Sequence, residues 1–148
     1  MKKLFYCTLF LLMWFIFSNF QCDEDVFVSG RWYISNETDE ALVVNIVGAK
    51  DSKEIFLQSG QRKELVRLYY YDNPVFDDIY SAIWSDSLSW DNHKVEVKSE
   101  NNEVLKTWTY AQREDEGRQF FSGEDWLHST TPGSLAWEFP ILPEDLIQ

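Results

Sequence analysis

Hydrophobic residues along this chain fall into two regimes. Residues 4–17 form a nearly unbroken apolar run, whereas beyond residue 26 apolar and polar positions alternate in short blocks separated by turn formers. A period of two places successive side chains on opposite faces of a strand, one buried and one wet. Such blocks span residues 27–34, 41–47, 64–71, 94–99, 104–110 and 134–141, with a shorter one at 54–57. In the first, Trp32 and Ile34 oppose Arg31 and Tyr33. In the second, Leu42, Val44 and Ile46 oppose Val43, Asn45 and Val47. In 64–71 the pattern puts Val66, Leu68 and Tyr70 on one side and Leu65, Arg67, Tyr69 and Tyr71 on the other. The closing block aligns Leu135, Trp137, Phe139 and Ile141, and Pro140, which lacks an N–H, marks an edge or a strand end.

The breaks complete the pattern. Asn36-Glu37-Thr38-Asp39-Glu40 is polar and rich in turn formers, so the first two blocks read as a hairpin. Asn36-Glu37-Thr38 also fits the N-glycosylation pattern, which we read as a turn only. Asn101-Asn102 closes a second hairpin. Residues 111–118 are charged and read as a mobile loop, and residues 129–133 as another break. One stretch departs from period two. Phe76, Ile79, Tyr80 and Ile83 recur at helical spacing after Asn73-Pro74, which predicts a short helix capped by Asn73 and lying across the sheets as a plug. The fold class that follows is all-β, an antiparallel β-sandwich with an Ig-like layout of about seven strands and one short helix. A small β-barrel is the alternative. Nothing alternates βαβ, so a parallel sheet is set aside.

The apolar run has a different meaning. Lys2 and Lys3 precede it and Ser18 and Asn19 follow it, the layout of a secretory signal. Fourteen residues fall short of the roughly 20 that a helix needs to cross a bilayer. Residues 1–21 then read as a signal peptide and 22–26 as a tether before a single β domain, 27–148. A cysteine where the signal ends, Cys22, is a candidate for lipidation, and Asp23, Glu24 and Asp25 follow it directly. A cut nearer Ser18 is the competing possibility, leaving Cys22 as a free thiol on a periplasmic or secreted chain.

The leader, Cys22 and the acidic run resemble Bacteroidota lipoproteins. In that family acids just after the lipidated cysteine direct display on the outer surface, which implies an export role for Asp23, Glu24 and Asp25. Gln21 and Asn19 depart from the family's preference for a small residue before the cysteine and an aliphatic one three before it. Within the domain, Tyr33-Ile34-Ser35-Asn36 with Thr38, Phe120-Phe121 with Trp126, and Trp137-Glu138-Phe139 ahead of Pro143-Glu144-Asp145-Leu146 are similar to small members of uncharacterised function. The resemblance implies a lipid-anchored β domain at the outer membrane or cell surface and supplies no catalytic residues.

Charge and chemistry narrow the function further. The leader holds two lysines and no acid, so the net charge of −12 becomes −14 without it. Such a surface repels nucleic-acid phosphates, and no nucleic-acid partner is expected. With Cys7 in the leader and Cys22 acylated, no disulfide can form, and stability must come from a core with six Trp, six Tyr and six Phe beyond residue 21. No cofactor or metal is expected. His93 and His128 sit in separate breaks and read as solvated. The acids Asp72, Asp77, Asp78, Asp86 and Asp91 lack a calcium-loop spacing and read as a solvated face. No nucleophile elbow or phosphate loop occurs, so no catalytic residue is assigned.

What remains is aromatic. Tyr69 and Tyr71 beside Arg67 form a possible ligand platform, and Trp84 and Trp90 bracket a Ser/Asp-rich loop. The reading is a non-catalytic binding or scaffolding domain, tethered to the membrane through its lipid and meeting a protein or glycan partner. The alternative is a glycan-binding or glycan-processing accessory module of a polysaccharide-uptake system. If Cys22 carries the lipid, cells fed a fatty-acid analogue will label the wild-type chain and leave Cys22→Ala unlabelled. Equal labelling would remove the anchor.

Overall fold

The computed structural model describes residues 28–49, 53–71, 74–84 and 93–146. The expected signal peptide, Cys22 and the acidic run lie outside these residues. Among the described residues eight strands form two four-stranded sheets, and no barrel closes. The strands are β1 (Val28–Asn36), β2 (Leu42–Val47), β3 (Lys53–Leu57), β4 (Arg62–Tyr70), β5 (Lys94–Ser99), β6 (Val104–Thr109), β7 (Leu127–Thr131) and β8 (Ser134–Ile141). The first sheet runs β4-β1-β8-β7 and the second β3-β2-β5-β6. The fold is the expected all-β sandwich.

Its connections depart from expectation. β1 and β2 are not a hairpin: they belong to different sheets, and the chain crosses over at residues 37–41. The polar break made turn and crossover look alike. A second crossing, β3 to β4, lies beside it. Both are tied to Asn36, whose side chain is fully buried. Its amide donates to the carbonyls of Glu40 (2.7 Å) and Leu57 (3.2 Å), and its Oδ1 accepts from the Thr38 N–H (3.0 Å) and hydroxyl (2.7 Å). Asn36-Glu37-Thr38 is thus a turn built on its own asparagine.

β8 is an interior strand, parallel to β1 and antiparallel to β7. Pro140 lies beyond β7's pairing, at the strand end, so its missing N–H costs no ladder bond to β7. The parallel register sets Trp32 beside Trp137, and the two indoles stack at 4.7 Å with their planes 9° apart. A Cβ on Gly30 would meet the Trp32 ring at 2.8 Å and Pro74 at 3.0 Å, so only glycine fits under that indole. Ile34 and Phe139 extend this buried face, and Leu42, Val44, Ile46, Val95, Val97 and Trp108 meet it from the second sheet.

Leu65 breaks the alternation of β4. The register shifts opposite Trp32 and Tyr33, leaving Leu65 as an extra, buried residue. A bulge turns two consecutive side chains to one face. Here Leu65 and Val66 both go inward, while Arg67 and Tyr69 stay out. The Leu65 carbonyl accepts a hydrogen bond from Lys53 on the facing sheet.

The helix, α1 (Asp78–Ile83), starts later than Pro74. Asp77 takes the capping position without a side-chain bond, and Asp78 instead accepts from the Val75 N–H at 2.9 Å. Ile79, Tyr80 and Ile83 are buried as the spacing required. The segment after β6 is anchored through polar tips of aromatic residues. The Trp108 indole donates to the Arg118 carbonyl (2.8 Å), the Tyr80 hydroxyl to that of Phe121 (2.7 Å), and the Trp126 indole to that of Phe120 (2.7 Å). Arg118 reaches the Pro140 carbonyl and the buried Asp145 carboxylate. Burial pushes the Asp145 carboxyl up, and the Leu142 N–H and Arg118 draw it back.

Trp137→Ala leaves a hole under Trp32 and is expected to cost about 3–5 kcal/mol. Asn36→Ala strands two carbonyls and an N–H and is expected to cost about 3 kcal/mol. Thermal or denaturant melts of the two variants check both. A Trp137→Ala chain melting like wild type would overturn the register of β8.

Candidate functional site

Alternation along β1 and β4 gives the first sheet an outer face of arginines, tyrosines and small polar residues. The Cα partners place Tyr69 beside Ser29, Arg67 beside Arg31, Tyr33 beside Glu64, and Ser35 beside Arg62. Across the other edge of β1, Ser29 faces Ser134, Arg31 faces Ala136, and Tyr33 faces Glu138. Two strands therefore bring Arg31, Arg62 and Arg67 together.

Arg67 grips Glu64 with two nitrogens, at 2.7 and 3.2 Å, and this hydrogen bonding holds the Glu64 carboxyl below its usual range. Tyr69 lies two residues along the same strand face, close enough to favour the Arg67 charge. Arg62 pairs with Glu138 at 2.8 Å and lies over the Tyr33 ring, 3.7 Å from its centroid. Tyr69 and Tyr71 are 64% and 70% exposed. The platform residues Arg67, Tyr69 and Tyr71 thus stand in solvent at the end of an edge strand, outside the core. Arg31 and Arg62 were missing from the sequence reading because the pairing that assembles them crosses strands. Their one sequence signal is that each occupies a polar position of its strand.

The other candidates disperse. Trp84 is no surface aromatic: it is buried, its indole donates to the Val47 carbonyl at 3.1 Å, and it stacks on His93 at 5.2 Å. Trp90 and the loop between lie outside the described residues. His93 is likewise buried rather than solvated, because it sits under the Trp84 ring at the entry to β5. His128 is exposed on β7, a strand where the sequence suggested only Trp126 and a break. Asp77 and Asp78 flank the start of α1, and Asp72, Asp86 and Asp91 lie outside the described residues. Among the described residues no group of three or more His, Cys, Asp or Glu could hold a metal ion, and no helix is long and apolar enough to cross a membrane. A polar cleft of about 490 Å³ lies between Arg113 and Asp125, lined by Glu114, Asp115 and Glu124.

Burial lowers the pKa of His93 from its ordinary 6.5. The unfolded chain then takes up a proton that the folded chain refuses, so the stability due to neutral His93 is complete above about pH 6.5 and lost as pH falls below it. Glu64 and Glu96, held low by Arg67 and Lys94, lose their contributions only at more acidic pH. The melting temperature is expected to drop between pH 7 and 5 in the wild type. It should flatten over that window in His93→Phe, which keeps the stacked ring. A slope unchanged in that variant would contradict the assignment.

No family model matches this chain, and neither a curated protein nor a solved structure matches it.

Proposed function

We propose that this chain is a lipid-anchored domain of the outer membrane or cell surface that binds a partner rather than transforming one, and that Arg67, Tyr69 and Tyr71 mark its binding surface. One observation carries the reading: two large aromatic rings stand 64% and 70% exposed at the end of β4, where an aromatic-rich chain that needs its rings for the core has left them in water. Exposed tyrosines beside an arginine are the side chains that dominate recognition surfaces, since they offer large, stiff contact area with a polar tip. Cys22, ahead of Asp23, Glu24 and Asp25, supplies the anchor in this reading. With the anchor 6 residues before β1, the domain is held close to the membrane, and its partner must be reached there.

A second reading shares the surface. Open aromatic rings also stack on sugar rings, which suits a glycan-binding or glycan-processing accessory module of a polysaccharide-uptake system. The test compares the full wild-type chain with the Tyr69→Ala/Tyr71→Ala double variant on a glycan array and against envelope proteins. Because both rings are exposed, the variant is expected to melt within about 1 kcal/mol of the wild type and to lose binding. Undiminished binding, or collapse of the fold, would overturn the surface. Release of reducing ends from a bound glycan would overturn the non-catalytic role.

A further inference from the structure

The formal charge of the chain is −12, yet three of its five arginines, Arg31, Arg62 and Arg67, share one sheet face. Arg31 and Arg67 are direct cross-strand partners, an arrangement that is destabilising for like charges unless something intervenes. Glu64 intervenes for Arg67, and Glu138 for Arg62. Arg31 also acts on Glu64 at longer range, so two carboxylates answer three guanidiniums. Arg31 makes no ion pair among the described residues, and its Nε is buried without a hydrogen-bond partner. A buried N–H donor without a partner is costly unless something satisfies it.

We propose that this face binds an acidic glycan, with Arg31 receiving an anionic group of the sugar, a uronate carboxylate or a sulfate ester, and Tyr69 stacking on a ring. The proposal rests on the binding surface of the preceding subsection and names its ligand class. Three features select that class. Guanidinium pairs with carboxylate and sulfate oxygens through paired N–H donors, a geometry that Arg67 already displays on Glu64. Beside Tyr69 the sheet carries only small side chains, with Ser29 buried and its hydroxyl donating to Ser134 at 2.9 Å. No bulky side chain of β1 or β8 therefore stands beside the Tyr69 ring to keep a polymer off it. From Arg67 through Tyr69 to Tyr71 the strand rises roughly 13 Å, room for two or three sugar rings. Finally, the acidic remainder of the domain repels an anionic polymer everywhere except at the arginines, which focuses it there.

The full chain in detergent micelles is titrated with polygalacturonate, dextran sulfate, uncharged dextran and poly-glutamate at low and high salt. One or both of the acidic polysaccharides should bind at least tenfold more tightly than dextran or poly-glutamate, and added salt should weaken that binding. Polygalacturonate and dextran sulfate distinguish carboxylate from sulfate as the group received. Arg31→Gln should lose tenfold or more on the acidic polymer while Arg31→Lys keeps part of it, and Tyr69→Ala should lose binding as well. If Arg31→Gln melts early, the Arg31→Lys comparison decides. Four outcomes overturn the proposal: dextran bound as tightly as the acidic polymers, poly-glutamate bound as tightly, no polymer bound, or full affinity in both Arg31 variants. In the first and last of these, a Tyr69→Ala loss would still uphold the binding surface, so the two readings fail separately.

Discussion

One buried amide fixes how the two sheets meet. The chain passes from the first sheet to the second after Asn36 and returns between β3 and β4, and both passages converge on that side chain. The Asn36 backbone joins in as well, its N–H donating to the Gln61 carbonyl and its carbonyl accepting from Gly60, while Glu37 donates to the Ile141 carbonyl. Gly60 can hold its corner because its φ is positive, +69°. A buried polar group is tolerated only when its partners are supplied. Here the amide's partners come from both passages, Thr38 and Glu40 in one and Leu57 at the start of the other, so satisfying the whole side chain requires the correct crossing. An apolar side chain at this position would leave those carbonyls to find other partners, and the sheets would lose their relative alignment.

The aromatic residues use the same principle on the other side of the core. Trp84, Trp108, Trp126 and Tyr80 each bury a ring and direct its polar tip at a backbone carbonyl. Three of those carbonyls belong to residues 118–121, which carry no regular secondary structure of their own. The charged stretch 111–118 read as mobile because its composition is that of a loop. In the structure it begins as a 3-10 turn with Arg113 against the Tyr110 ring and ends at Arg118, which is bound to Pro140 and Asp145. Composition reports which residues avoid the core. It does not report which loop carbonyls a distant indole will claim.

The pattern of the strands was legible for the same reason that its exceptions were not. Trp32, Ile34, Val95 and Val97 alternate with polar neighbours, and a sheet buried on one face demands that period. β7 escaped because Leu127-His128-Ser129-Thr130-Thr131 is exposed at every position, so burial imposes no alternation on it. Leu65 appeared on the wrong face because a bulge changes parity without leaving a mark in composition. His93 looked solvated because a lone polar residue between blocks gives no sign of the indole that covers it. The platform tyrosines were visible as residues sharing one face of a strand with Arg67. The arginines around them were not visible as a group, because register across β1 and β4 assembles them.

The parallel pairing of β1 with β8 has a consequence in time. The first strand of the domain sits between β4 and the last one, and its partners in β8 lie about a hundred residues further along, as in Ser29 with Ser134. Loop closure over such separations must precede the contacts that reward it, which slows folding and makes it a late event. While the chain is still emerging, Trp32 has no Trp137 to stack on, and β1 has only one of its two neighbours. The first sheet cannot be completed until nearly the whole sequence is available. The chain's own topology therefore withholds the native state until β8 arrives.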